Sequence, residues 1–345
     1  MRSALAVQPV SHRSVAASRL LHSVQSRLSE LVKLPHVYTL LGSGTIANDA
    51  VAAQLTGRGV IIDTGEFGRR LIDHATRAGL EFDVIPLSSG RRLDLKRIGQ
   101  HAPDWMWTVH CETSTGKLVD LDHLRQYART YRTKIAIDAI SAVGTKVTDY
   151  SFAHLVTFVS GKALRNAPGL AFVAMRERAV PNPLIPRYLD LAGYDPIAFT
   201  QSVPLIQAMD VALSELTEAE IATHQSKLDV FVRELLRRGV PVELGDDQAP
   251  GIFSLTLPEN LSSIELGHQL AFHGYQVQYE STYLRHANCL QVSTMGWTTE
   301  RDLHQVAAYI GTWLQKKTAT RESDGIRHGN LGGPNDESFD RGVLN

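Results

Sequence analysis

A single lysine set between two apolar runs is the residue of this chain best placed to do chemistry. Lys162 follows His154–Val159 and precedes Leu170–Ala174, which have the length and the β-branched or aromatic content of buried strands, and Pro168-Gly169 breaks the connection between them. At a strand end facing a cavity, a desolvated amine can attack a carbonyl and form a Schiff base. A loop lysine can equally be a solvated surface charge. Gly42-Ser43-Gly44-Thr45 raises a similar pair of readings. Two glycines and two hydroxyls ahead of an alanine-rich helix suit an anionic group, which the helix N–H groups and the positive end of the dipole attract. Ser and Thr also simply cap helices, and the spacing fits neither the dinucleotide fingerprint nor the P-loop pattern. Asp138 closes an apolar run, where it can serve a site or cap the following turn.

These residues need elements to hold them. Val15, Leu20, Leu21, Val24, Leu28, Leu31 and Val32 recur at helical spacing before Pro35, so residues 15–33 read as an amphipathic helix. Strand signals follow at His36–Leu41, Gly59–Asp63, Phe82–Pro86, Trp105–His110 and Lys134–Ile137. Helix signals alternate with them: one after Gly42, one ended by Gly79, a short one at Leu93–Ile98, and one at Leu121–Tyr131 capped by Asp120 or Asp122. This alternation predicts an α/β fold with a mostly parallel sheet sandwiched by helices, whose ligands sit beyond the carboxyl ends of the strands. Gly42–Thr45, Cys111–Thr115, Asp138 and Lys162 all fall at that edge. A proline-rich crossing segment (residues 181–196) leads into a helix from Val203 to Glu220, a second from His224 to Gly239, and then short strands and helices ending with Thr299–Lys316.

In order along the chain, SGT at Ser43–Thr45, GEFGRR at Gly65–Arg70, HCETSTG at His110–Gly116, DAISAVG at Asp138–Gly144 and the SGK…APGLAFV segment around Lys162 resemble the class V aminotransferases. The likeness is nearest the 2-aminoethylphosphonate:pyruvate and alanine:glyoxylate branch and covers roughly residues 12–317. It implies fold type I, with a seven-stranded sheet and pyridoxal 5'-phosphate as cofactor. By that resemblance Lys162 is the Schiff-base lysine and general base, Asp138 pairs with the pyridine nitrogen, and Phe67 stacks on the ring. Ser43, Gly44 and Thr45 hold the phosphate, Thr113 or Ser114 lies beside the ring hydroxyl, and Ile140 and Ser160 complete the pocket. A homodimer is implied, in which Thr200 reaches the phosphate of the other subunit. The implied reaction moves an amino group from a small amino acid or aminophosphonate to a 2-oxo acid. A pyridoxal-phosphate lyase, another non-transaminating enzyme of the same fold, and a homologue without cofactor are the alternatives.

Three features depart from the family pattern. A Pro-Gly-Pro segment that lines the substrate pocket in the family is not seen ahead of Ser11–Ser14. Gly161 stands where Gln or Asn is usual. Gln291 replaces the arginine that grips the substrate's acid group, a role that a neutral amide cannot fill and that Arg285 is placed to assume. The expected organisation is an N-terminal segment (1–22), a large α/β domain (23–222), a small α+β domain (223–317) and a glycine-rich, polar, disordered tail (318–345).

The composition narrows the remaining possibilities. Thirty-five basic and 36 acidic residues, spread along 345, form no stripe of the kind that binds nucleic acid. Two cysteines make no disulfide framework or zinc site, and there is no run of 18 apolar residues or signal-peptide core. The expectation is a cytoplasmic protein without metal or membrane span.

Overall fold

The computed structural model describes residues 10–87, 102–195, 199–242 and 244–328, together with Leu5 and Ile98. Helix α1 (Val15–Val32) starts where the Ser14 hydroxyl accepts from Ala17 N–H, and Lys33 ends it in the left-handed region at φ 56°. Its buried residues Leu21, Val24, Leu28 and Val32 repeat every three or four positions, so one stripe faces the sheet. Most of the expected strands and helices follow: β1 (His36–Gly42), α2 (Gly44–Gln54), β2 (Arg58–Asp63), α3 (Glu66–Arg77), β3 (Glu81–Pro86), β4 (Trp105–Val109), the short pair β5 (Cys111–Glu112) and β6 (Lys117–Leu118), α4 (Leu121–Tyr131), β7 (Lys134–Asp138), β8 (Leu155–Val159) and β9 (Gly169–Met175). The helix expected at Leu93–Ile98 lies, except for Ile98, outside the described residues.

The main sheet runs β1-β9-β8-β7-β4-β2-β3. All its pairs are parallel except the two made by β9. Alternation along each strand feeds two cores. Val60, Ile62 and Met106 pack with α1, α4 and the later helix α5 (Val203–Glu215); Ile61, Trp105 and Trp107 pack with α2 and α3. At 25 cal/mol per Å², each large apolar side chain so buried contributes about 2–3 kcal/mol. The chain leaves β2 for β3 on one side and returns to β4 on the other. That reversal opens a crevice at the carboxyl ends of the strands.

The second, smaller core gathers α6 (Glu218–Arg237), β10 (Ile252–Thr256), α7 (Ser263–Phe272), β11 (Cys289–Ser293) and α9 (Glu300–His328), with α8 (Thr282–His286) beside β11. Two expectations are corrected here. The helix break falls at Leu216-Thr217 and not after Glu220, because the Thr217 hydroxyl accepts from Glu220 N–H at 3.2 Å and starts a new helix. The tail is not disordered from residue 318: α9 continues to His328, with no proline to stop it. Residues 329–345 lie outside the described residues. Among the described residues, no helix is long and apolar enough to cross a membrane.

Candidate active site

Register brings the polar residues to one level. β7 pairs Asp138 with Val109 of β4 on one side and Thr157 of β8 on the other. Asn48, inside the alanine-rich helix α2, reaches down to both: its Nδ2 donates to Asp138 Oδ2 at 2.8 Å and its Oδ1 accepts from Thr157 Oγ1 at 2.9 Å. Ile140 N–H donates to the other Asp138 oxygen at 2.9 Å. Burial pushes the Asp138 carboxyl above its ordinary value, opposed by the Ile140 and Asn48 hydrogen bonds and by Lys162 and His74.

After β8 the chain turns tightly toward Lys162. Ser160 Oγ donates to Ala167 C=O at 2.7 Å and accepts from Leu170 N–H at 3.2 Å, which closes the turn. Gly161 is tightly placed: a Cβ there would stand 3.0 Å from Pro168 Cα, so the family's Gln or Asn would need Pro168 to shift by a few tenths of an ångström. Lys162 Nζ donates to Ser141 Oγ at 3.1 Å. Burial holds its pKa below the ordinary lysine value, and the nearby Arg70 adds to that effect while Asp138 opposes it.

Lys162, Asp138, Asn48, Phe67, Gly44 and Arg70 line one cavity of about 180 Å³, with Thr45, Ile140, Ser141, His74, Val109 and Cys111. Cys111 is inert there, its thiol pushed up to about 12 by burial. Gly44 begins α2, and a Cβ on it would overlap Ile140 Cδ1. The first N–H groups of α2 therefore face the cavity across a glycine, without acceptors inside the helix. Phe67 is fixed from below by Glu112. This buried carboxylate accepts from Phe67 N–H and Gly68 N–H at 3.1 Å, Thr64 Oγ1 at 2.9 Å, Ser114 N–H at 3.1 Å and Ser114 Oγ. It thus caps the positive end of α3. A larger cavity of about 820 Å³ contains none of Lys162, Asp138, Phe67 or Gly44, and its Lys117 is paired to Asp247 at 2.6 Å.

No family model matches the chain. The 2-aminoethylphosphonate–pyruvate transaminase of Salmonella paratyphi B is 27% identical over 172 residues, 46% of this chain and 47% of that protein. The chain thus spans about half the length of the curated relatives it matches. Alanine–glyoxylate aminotransferase from Nostoc superimposes with a TM-score of 0.81 at 23% identity, over 91% of both chains. Ureidoglycine–glyoxylate aminotransferase from Bacillus subtilis gives 0.84 at 19%, over 91% of this chain and 89% of that one. About half of the chain is thus similar in sequence to 2-aminoethylphosphonate–pyruvate transaminase, and the whole fold is similar to those of these two aminotransferases. Its α/β architecture is that of fold type I.

Against the class V pattern, the cavity gathers Gly44, Thr45, Phe67, Asp138, Ile140 and Lys162, with Ser43 at the cap of α2. Thr113, Ser114 and Ser160 are not among the lining residues. Ser114 is bound to Glu112, and Ser160 holds the turn. Thr200 is exposed. Arg285 is exposed on α8 and lines no part of the cavity. Gln291 is 2% exposed, and its amide is fully engaged: Nε2 donates to Thr113 C=O and, at 2.9 Å, to Ser254 Oγ, while Oε1 accepts from Tyr283 OH at 3.1 Å. It ties the β5–β6 turn to β10 and α8, and both of its N–H donors are used. Sequence reasoning missed Asn48, Thr157, Glu112, Arg70 and Tyr283. Arg70 had a readable signal, lying one helical turn after Phe67; so did Asn48, one turn after Gly44.

Proposed function

We propose that this chain is a pyridoxal 5'-phosphate-dependent aminotransferase that moves an amino group from a small amino acid or aminophosphonate to a 2-oxo acid. One observation supports this reading above the others: a partly buried amine with lowered pKa and a buried carboxylate line the same small cavity, beneath a helix N-terminus and beside an aromatic ring. The residues present fit that cofactor. Asp138 receives only neutral hydrogen-bond donors, so a protonated ring nitrogen supplies the cation that its ionised form lacks. Gly44 and Thr45, with Ser43, would hold the phosphate at the start of α2, and Phe67 would pack against the ring. When bound, the cofactor acts as a sink for the electrons left at the substrate's α-carbon.

The protein's own groups do the rest. Asp138 keeps the proton on the ring nitrogen, and Asn48 aims the carboxylate. Lys162 would hold the cofactor and, with its amine free, would serve as the base for the proton on the substrate's α-carbon. A lysine of ordinary pKa would be protonated at pH 7 and could not do so; burial lowers that barrier. The protein works as a homodimer in the cytoplasm. The exposed Thr200, Val180 and Leu184 support an interface on that side, and two free, buried cysteines suit a reducing compartment. A panel of donors tests the proposal. With 2-aminoethylphosphonate or alanine, bound pyridoxal phosphate should become pyridoxamine phosphate, and pyruvate or glyoxylate should reverse it. Release of free ammonia with every donor, and no pyridoxamine phosphate, would refute transamination.

A further inference from the structure

An aminotransferase must hold the acid group of its substrate, and neither residue expected to do so is available: Gln291 is buried with both N–H donors committed to Thr113 and Ser254, and Arg285 lies outside the cavity. We infer that Arg70 is the residue that binds the substrate's carboxylate or phosphonate, so that specificity for acidic substrates is carried by α3 and not by β11. This rests on the aminotransferase reading and deepens it.

Among the described residues, Arg70 is the only guanidinium lining the Lys162 cavity. Its Cζ lies 4.5 Å from the centroid of the Phe67 ring, an arrangement that keeps the planar head flat and its edge donors directed outward. Tyr283 meets the same ring edge-on at 6.1 Å and in turn donates to Gln291. Arg70, Phe67, Tyr283 and Gln291 are therefore contiguous, and the cationic group sits at the cavity end of that chain of contacts. Arg70 is also free to respond. Nε and Nη2 donate to Glu66 Oε1 at 3.3 and 3.2 Å, while Nη1 donates to no described residue. Its side chain is 54% exposed, so the pair with Glu66 is a weak surface contact. Glu66 keeps Arg69 at 3.8 Å when Arg70 turns to a ligand. A fork of two N–H donors then matches the two oxygens of a carboxylate or of a phosphonate.

Propionate, which carries the acid group without the reacting amine, is the probe, titrated calorimetrically into the protein with and without pyridoxal phosphate. Arg70→Ala should weaken propionate at least tenfold, about 1.4 kcal/mol, leave pyridoxal phosphate affinity within threefold, and raise KM for pyruvate far more than it lowers kcat. Arg70→Lys should fall between, and Arg285→Ala should match the parent. An unchanged propionate affinity in Arg70→Ala would overturn the assignment. So would a loss of pyridoxal phosphate affinity with propionate unaffected, which would give Arg70 to the cofactor phosphate. If the parent binds propionate through Arg70 but takes up no pyridoxal phosphate, the acid site stands and the aminotransferase reading falls.

Discussion

Asn48→Ala removes the one side chain that ties α2 to the buried carboxylate. The amide gives a 2.8 Å hydrogen bond to Asp138 and receives a 2.9 Å one from Thr157, in a position 5% exposed. A buried hydrogen bond to an ionised group is worth about 1.5–3 kcal/mol and a neutral one about 1 kcal/mol, so the loss in the cofactor-free protein is about 3 kcal/mol. With a urea m-value of about 3 kcal/mol/M, the midpoint falls by about 1 M. The buried Trp105 and Trp107 report this transition by fluorescence. The loss should depend on pH, and its sign follows from Asp138. Its folded-state pKa is raised, so ionising it in the fold costs stability, which is present in acid and is lost as pH rises above the ordinary value of 3.8 toward the folded one. The Asn48 bond lowers that pKa and limits the loss. The gap between variant and parent should therefore narrow in acid to the pH-independent part from Thr157, about 1 kcal/mol, and widen on approach to neutrality. A midpoint shift below about 0.3 M, or one equal at every pH, would refute the claim that Asn48 stabilises an ionised Asp138.

Other perturbations reach different parts of the account. Glu112→Ala strands the N–H groups of Phe67, Gly68 and Ser114 and should cost about 3–5 kcal/mol, read from urea midpoints; less than about 1 kcal/mol would mean that α3 is held by other contacts. Thr217→Ala removes the cap of α6 and should cost about 1 kcal/mol in the same assay, whereas Leu216→Ala should leave the helix start unchanged by circular dichroism. The rate of pyridoxal phosphate capture should rise with pH and level off below 10.5, because burial lowers the Lys162 pKa; a rise that continues to 10.5 would indicate a solvated lysine.

What the sequence made legible was what local pattern encodes. Strand ends were marked by apolar runs, and Lys162, Asp138 and the glycine turn before α2 were singled out because each directly adjoins such a run, whereas Phe67 came only from the family resemblance. Contacts between distant segments were not legible. Nothing near Gln291 announces that its amide will be consumed by Thr113, Ser254 and Tyr283, so it read as a residue facing substrate. Asn48 sits in a helix where an asparagine looks neutral, and only the pairing of β7 with β8 sets Asp138 and Thr157 beneath it. The helix break after Glu215 was legible in principle, since Thr217 and Glu220 have capping-box spacing. The continuation of α9 to His328 was hidden by a polar composition that a helix end without an apolar stripe shares with disordered chain.

The central claim is that Lys162 is the amine that holds pyridoxal phosphate. Incubation of the purified protein with the cofactor, reduction with borohydride and peptide mapping by mass spectrometry tests it most directly. The account predicts one stoichiometric phosphopyridoxyl adduct, on the peptide containing Lys162, and none on that peptide in Lys162→Ala. An adduct of the same yield spread over other lysines, or unchanged in Lys162→Ala, would contradict it.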